Sequence, residues 1–128
     1  MSAESITLQR FVRGEICAAD FPHREHVRMA FEMLRSHDFA ESLLHYSRTL
    51  HGMAARAGKP QAFNQTITIA FLAVIAQRMQ EGTEMRFEAF ARCNTDLFER
   101  SLLRRWYRPE QLDTPMARSG FVLPHPHV

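Results

Sequence analysis

The chain has 128 residues, of which 45% are hydrophobic and 23% are charged, as in an ordinary single globular domain. This composition excludes a disordered chain, and two cysteines are too few for a disulfide scaffold. The net charge of +2 gives no electrostatic argument for a nucleic-acid partner.

The longest apolar stretch, residues 67–76, is far shorter than the roughly 18 residues that a membrane span needs. The N-terminal residues lack the basic start and the apolar run of a signal peptide. Free thiols are typical of a reducing compartment. We therefore expect a cytoplasmic protein with no membrane partner and no nucleic-acid partner.

Apolar residues at helical spacing, together with capping residues, predict one all-α domain over residues 1–128. Ser5, Asp38 and Thr83 are the expected N-caps. Gly14 and Gly58 are expected to end the first and the third helix. The predicted helices cover residues 5–13, 22–36, 38–57 and 61–80, and a fifth begins at Thr83.

The fourth predicted helix, at about residues 61–80, is apolar on nearly every side. Other helices usually surround a helix of this kind, so we place it at the centre of a compact bundle of five or six helices. We expect burial on more than one of its sides, at Ile67, Phe71, Val74 and Ile75.

Residues 94–96 are predicted to restart the chain after the fifth helix, as a kink that leads into the apolar residues between Leu97 and Trp106. Prolines then punctuate residues 109–128. This last segment is predicted to be an irregular C-terminal tail packed on the surface, with one helical turn after Thr114.

Two histidines open the second predicted helix, in the stretch DFPHREHVRMA. His23 and His26 are three residues apart, so they lie on neighbouring parts of one helix face. The free amides of a helix start favour a neutral imidazole or a bound anion, which suits a histidine that acts as an acid, a base or a ligand. The alternative is that one histidine caps a neighbouring backbone and the other is solvated.

Polar residues also open the fourth predicted helix, in the stretch FNQTIT. Asn64 and Thr68 share a helix face, and polar groups that enter an apolar helix need partners once they are buried. Asn64 can both donate and accept, so it can orient a histidine or hold a substrate amide or carboxylate. The alternative is that Asn64 or Thr66 is the N-cap of this helix.

These two stretches, with the Ala- and Leu-rich helix and the Gly-Lys-Pro turn between them, resemble a family of small uncharacterised bacterial all-helical proteins. The family pattern is Phe-x-His-x-x-His-hydrophobic-Arg-x-Ala, then aromatic-His-Glu-Thr-Ile-Thr, then a tail that contains prolines. The resemblance extends over about residues 8–123. The matching positions are His23, His26, Arg28, Thr66 and Thr68.

Asn64 and Gln65 depart from this pattern, because the family has His and Glu at those two positions. The resemblance implies that relatives carry three histidines and a glutamate, a set suited to a metal ion or to acid–base chemistry. Asn and Gln are poor ligands for zinc-like ions and cannot accept a proton at neutral pH. We therefore predict no metal and no cofactor in this chain, and the resemblance implies no particular reaction.

Two classes of function follow from these motifs. In the first, a pocket between the starts of the second and fourth helices binds an anionic small molecule. His23 and His26 are then the candidate catalytic acid or base, and at least one of them is expected to be neutral at pH 7. The candidate substrate-binding residues are Arg28, as a counter-charge, and Asn64, Gln65 and Thr68.

The second class is a non-enzymatic interaction module that uses an apolar helix face, as a homodimer. The lack of a third titratable group in the two motifs and the ten phenylalanines favour it. The sequence thus leaves open whether the protein is an enzyme.

Overall fold

Helices form the secondary structure of residues 6–124, the part of the chain that the computed structural model describes. These residues contain seven α-helices, four short 3₁₀ turns and no β-strand, which confirms the all-α prediction. Ser5 and residues 125–128 of the predicted tail lie outside the described residues. The helices are α1 (Leu8–Val12), α2 (His23–Ser36), α3 (Phe39–Arg56), α4 (Gln65–Glu81), α5 (Phe87–Cys93), α6 (Pro109–Leu112) and α7 (Pro115–Ser119).

Local capping fixes where several of these helices begin. The N-cap of α1 is Thr7, two residues after the predicted Ser5, because its hydroxyl accepts the Arg10 backbone N–H at 3.1 Å. Asp38 caps α3 as predicted and accepts from the Glu41 N–H at 2.8 Å. Thr83 does not cap α5. Helix α4 continues to residue 81 and is followed by extended backbone, so α5 begins only after residue 86.

Glycines end α1 and α3 in the same way, as predicted. Gly14 and Gly58 both have φ of 74°, the left-handed backbone that glycine adopts without strain. After α3, the N–H of Gly58 donates to Ala55 and the N–H of Lys59 donates to Ala54, each at 3.0 Å. This Schellman arrangement satisfies the last helical carbonyls and fixes the position of Lys59.

Two helices share the centre of the bundle. Helix α2 packs against α1, α3, α4, α5 and the 3₁₀ turn Thr95–Phe98, while α4 packs against α2, α3, α7 and the turn Leu102–Arg105. Phe71 and Ile75 of α4 are buried as predicted, and Val74 is half-buried. The prediction was wrong for Ile67, which is 39% exposed because it lies in the first turn of α4, beside a cavity.

The segment after α5 turns at residues 94–96, where a kink was predicted. Two 3₁₀ turns, Thr95–Phe98 and Leu102–Arg105, carry the chain onward. Arg78 of α4 donates to Asn94 at 3.0 Å and to both Asp96 oxygens at 2.9 and 2.8 Å. Asn94 also donates to the Phe90 carbonyl at 3.0 Å. These bonds hold residues 94–96 against α4 and α5, so the chain turns there.

The C-terminal segment up to residue 124 contains two short helices and closes over α4. Thr114 caps α7 and accepts the Ala117 N–H at 3.0 Å, at the predicted helical turn. Ala117 is fully buried where α7 packs on α4. The Tyr107 hydroxyl donates to the Val122 carbonyl at 2.7 Å. Over residues 6–124, no helix is both long enough and apolar enough to cross a bilayer.

Candidate functional site

A cavity of about 640 Å³ lies between the starts of α2 and α4, the C-terminal half of α3 and residues 99–103. We call it the histidine cavity, because His23 and His26 line it. Its buried lining side chains, which form its floor, are Phe21, Tyr46, Met53, Thr68, Phe71, Leu102 and Leu103. Its exposed lining side chains, which form its rim, include Lys59, Ile67, Glu99 and Arg100.

His23 is the first residue of α2 and links that helix to the turn after α5. Its Nε2 lies 3.0 Å from the Leu97 carbonyl oxygen. A carbonyl only accepts, so Nε2 carries a proton in this contact. The ring also packs against Phe71 of α4, with 5.5 Å between ring centroids, and this contact joins the starts of the two helices.

His26 lines the histidine cavity beside His23, with 6.2 Å between the two ring centroids, and is uncharged at neutral pH. Burial lowers its pKa to about 4, with a further lowering by nearby His23 and a smaller opposing contribution from a hydrogen bond with the Phe21 backbone. Its ring packs on the Phe21 ring at 4.3 Å between centroids. The prediction of a neutral imidazole therefore holds for His26, and burial is the main cause.

One ring nitrogen of His26 has no hydrogen-bond partner within residues 6–124. In the same range, no fully buried side-chain nitrogen or oxygen lacks a partner, so this nitrogen is accessible to solvent. The His26 backbone is held by Tyr46, whose hydroxyl donates to the His26 carbonyl at 2.9 Å. Burial raises the pKa of Tyr46, which keeps the phenol protonated for this contact.

The polar side chains at the start of α4 form hydrogen bonds with backbone groups. Asn64 accepts the Ile67 N–H at 3.0 Å as the N-cap and donates to the Leu112 carbonyl at 2.8 Å. Thr66 is fully buried; it donates to the Gly120 carbonyl and accepts the N–H of residue 122, both at 3.1 Å.

Thr68 donates to the Asn64 carbonyl at 2.8 Å, within the first turn of the same helix. The alternative that the sequence left open, a cap at the start of the fourth helix, is the arrangement observed for Asn64.

The structure brings four of the six predicted site residues to the histidine cavity: His23, His26, Asn64 and Thr68. Gln65 does not line it. Arg28 is also outside, because it follows His26 by two residues and His23 by five, which are rotations of roughly 200° and 140° around a helix.

Arg28 instead pairs with Glu25 at 2.7 Å and donates to the Ile6 carbonyl. Hydrogen bonding to Glu25 raises the pKa of Arg28. Arg28 lines a second cavity, of about 750 Å³, together with charged side chains that include Arg24 and Glu88. Arg24 and Glu88 pair with each other at 3.0 Å, so this second cavity has largely compensated charges.

Sequence reasoning missed the two cations at the rim of the histidine cavity, Lys59 and Arg100. Within residues 6–124, neither forms an ion pair. The glycine at residue 58, which ends α3, was the one sequence signal for the position of Lys59. Nothing local places Arg100, which lies in the connection between two 3₁₀ turns.

No three His, Cys, Asp or Glu side chains converge on a possible metal position within the described range. The absence of a metal and of a cofactor stays a prediction. Cys17 and Cys93 are free and exposed. A hydrogen bond with Glu84 raises the pKa of the Cys93 thiol, which disfavours a nucleophilic thiolate there.

Comparison with known proteins gives no match: no family model, no curated protein and no solved structure is similar to this chain. The resemblance to a bacterial helical family therefore stays a prediction.

Proposed function

We propose that this protein binds a small molecule in the histidine cavity. The observation that carries the proposal is the combination of a mostly apolar floor with one half-buried neutral imidazole, His26, that keeps an accessible nitrogen. Ligand sites typically have volumes of roughly 300–1,000 Å³, apolar walls and few polar groups, and this cavity matches all three properties. We also propose a cytoplasmic location, which the free thiols of Cys17 and Cys93 support.

The role that we propose for His26 is hydrogen bonding rather than proton transfer. A general base works best when its pKa is close to the working pH. The pKa of His26, about 4, is well below neutrality, so its imidazole is a weak base but a good hydrogen-bond acceptor. Catalysis by His23 or His26 stays a prediction from the sequence. The surroundings of His26 favour the binding of a small molecule.

Filling the cavity tests this proposal. Ala54 lines the histidine cavity on α3, whereas its neighbour Ala55 is exposed and does not line it. We expect Ala54→Phe to abolish binding of the uncharged fluorophore N-phenylnaphthylamine, followed by its fluorescence, and Ala55→Phe to leave binding unchanged. Ala57→Phe, at an exposed lining position, replaces the first variant if that one does not fold. Equal binding by all variants would contradict the proposal.

A second candidate function is self-association as an interaction module. It is favoured by large apolar side chains that are exposed in the C-terminal segment: Met116 is 71% exposed, Phe121 45% and Leu123 72%. We propose a second copy of this chain as the partner. Sedimentation velocity should then show a dimer that Leu123→Ser weakens and that Val12→Ser, at an exposed position on α1, leaves intact. A monomer at every concentration would exclude this candidate.

A further inference from the structure

We propose that the ligand of the histidine cavity is an amphiphilic carboxylate, with its alkyl chain on the cavity floor and its carboxylate at the rim against Lys59 and Arg100. This inference rests on the proposed function and adds the chemical class and the orientation of the ligand.

The floor offers apolar contact, because its polar groups are already paired. The Tyr46 hydroxyl donates to the His26 carbonyl, and the Thr68 hydroxyl donates to the Asn64 carbonyl. The remaining floor side chains are aromatic or aliphatic, as at Phe71. A charged ligand group placed there would lose its hydration without gaining a partner of opposite charge. The alkyl part of a ligand has no such loss, so it is the part that fits the floor.

The rim offers positive charge that the protein itself does not neutralise. Lys59 is fixed by the Schellman turn after α3, and Arg100 comes from the connection between two 3₁₀ turns. In the part of the chain that is described, neither side chain is in an ion pair, whereas Arg24 and Arg28 at the second cavity both are. The two cations are therefore available to an anionic head group.

The charges of the lining side chains determine the proposed orientation of the ligand in the histidine cavity. His26 is neutral at pH 7, and the lysine and the arginine among the lining side chains, Lys59 and Arg100, are both exposed at the rim. Glu99 is the one carboxylate among the lining side chains, and it is also exposed. Two cations and one carboxylate leave a net charge of +1 at the rim, which suits a ligand with a single negative charge.

Calorimetric titration of the intact protein at pH 7 with hexanoate, octanoate and decanoate tests the inference. Each additional pair of methylenes should tighten binding about fifteenfold until the floor is filled, the ratio expected for burial of two CH₂ groups. Octanoate should bind more tightly than octanol, and octylamine should bind most weakly. This order should flatten as salt is added, because exposed charges are screened.

Substitutions locate the carboxylate. The double variant Lys59→Ala with Arg100→Ala should weaken octanoate binding about tenfold and leave octanol binding unchanged. Glu99→Gln should tighten octanoate binding about twofold. Arg104→Ala is the matched control, because Arg104 is exposed nearby but does not line the cavity. It should change neither affinity.

The outcomes separate this inference from the function on which it rests. If octanol binds as tightly as octanoate, or if the double variant is silent while His26→Gln weakens octanoate binding, the proposed head-group position is wrong and the small-molecule function stands. If neither N-phenylnaphthylamine nor any of the alkyl probes binds, the small-molecule function itself fails.

Discussion

The starts of α2 and α4 line the same cavity, but their polar side chains have different surroundings. At the start of α4, Asn64, Thr66 and Thr68 all form side-chain hydrogen bonds with backbone atoms, two of them with residues far along the chain. At the start of α2, Pro22 supplies no capping side chain, and His26 keeps a ring nitrogen without a partner in the described residues.

This difference separates a structural helix start from a start that is available to a ligand. A buried polar side chain whose hydrogen bonds all go to backbone stabilises the fold and has little capacity left for a substrate. The half-buried imidazole of His26, with its accessible nitrogen, retains that capacity, and the loss of solvation around the ring lowers its pKa.

Truncating the ring that joins the two helix starts should have the largest effect. Phe71 is 9% exposed and packs against His23. Phe71→Ala should lower the free energy of unfolding by about 3–5 kcal/mol, because it removes a buried ring and leaves a cavity. Denaturant unfolding followed by circular dichroism measures the loss. Ala73→Ser, at an exposed position of the same helix, should change little. A loss below about 1 kcal/mol for Phe71→Ala would show that the two starts are not joined by this contact.

Acid should destabilise the start of α2 through His26. The pKa of His26 is about 4 in the folded protein, below the ordinary histidine value of 6.5, so the unfolded chain binds more protons between these two values. Stability is therefore complete above pH 6.5 and falls by about 3 kcal/mol as the pH decreases to 4.

Urea unfolding across this pH range measures the effect. His26→Gln should flatten the profile, whereas His45→Gln, at an exposed position, should retain it. A wild-type profile that is already flat between pH 6.5 and 4 would contradict the burial of a neutral imidazole.

Removing the Thr66 hydroxyl tests whether the start of α4 has a structural role. Thr66→Val retains the shape of the side chain but leaves the Gly120 carbonyl and the Val122 N–H without this partner. The free energy of unfolding should fall by about 2 kcal/mol. Thr66→Ser retains the hydroxyl and should recover most of that loss. Both variants should bind N-phenylnaphthylamine as the wild type does, and a large loss of binding in a folded Thr66→Val protein would argue against a purely structural role.

Changing Asn64 should have the smallest effect. Asn64→Ala removes the N-cap and should cost about 1 kcal/mol. Asn64→Asp retains the capping oxygen and loses only the donor to the Leu112 carbonyl, so its cost should be smaller. Thermal melts measure both variants. A tenfold loss of probe affinity in Asn64→Asp, with stability intact, would instead assign Asn64 to the ligand site.

The sequence predicts the long helices well, because their boundaries depend on neighbouring residues. Asp38 and Gly58 bound α3 through contacts within a few residues, and both predictions are confirmed. The kink predicted at residues 94–96 is held from outside that segment, because Arg78 of α4 pairs with Asp96 at 2.8 Å. Local patterns carry no information about such a distant partner.

The candidate site could be predicted from the sequence only in part, as the fold could. Two helix starts with polar side chains were expected to meet, and His23 and Asn64 do line one cavity. Arg28 was misassigned, although the rotation per residue of a helix already directs it away from both histidines. Lys59 and Arg100 reach the rim only through the tertiary arrangement of two connections, so no spacing in the sequence indicates that both line this cavity.

The contacts of Thr66 have a consequence for the order in which the protein can fold during synthesis. Its hydroxyl, at the start of α4, bonds to the backbone of residues 120 and 122, which are 54 and 56 residues later in the chain. Until the ribosome releases those residues, a buried position in the first turn of α4 has no backbone partner from the C-terminal segment. A nascent chain that stops before residue 120 therefore holds an incomplete core, and the start of α4 gains these partners only when residues 120 and 122 have emerged.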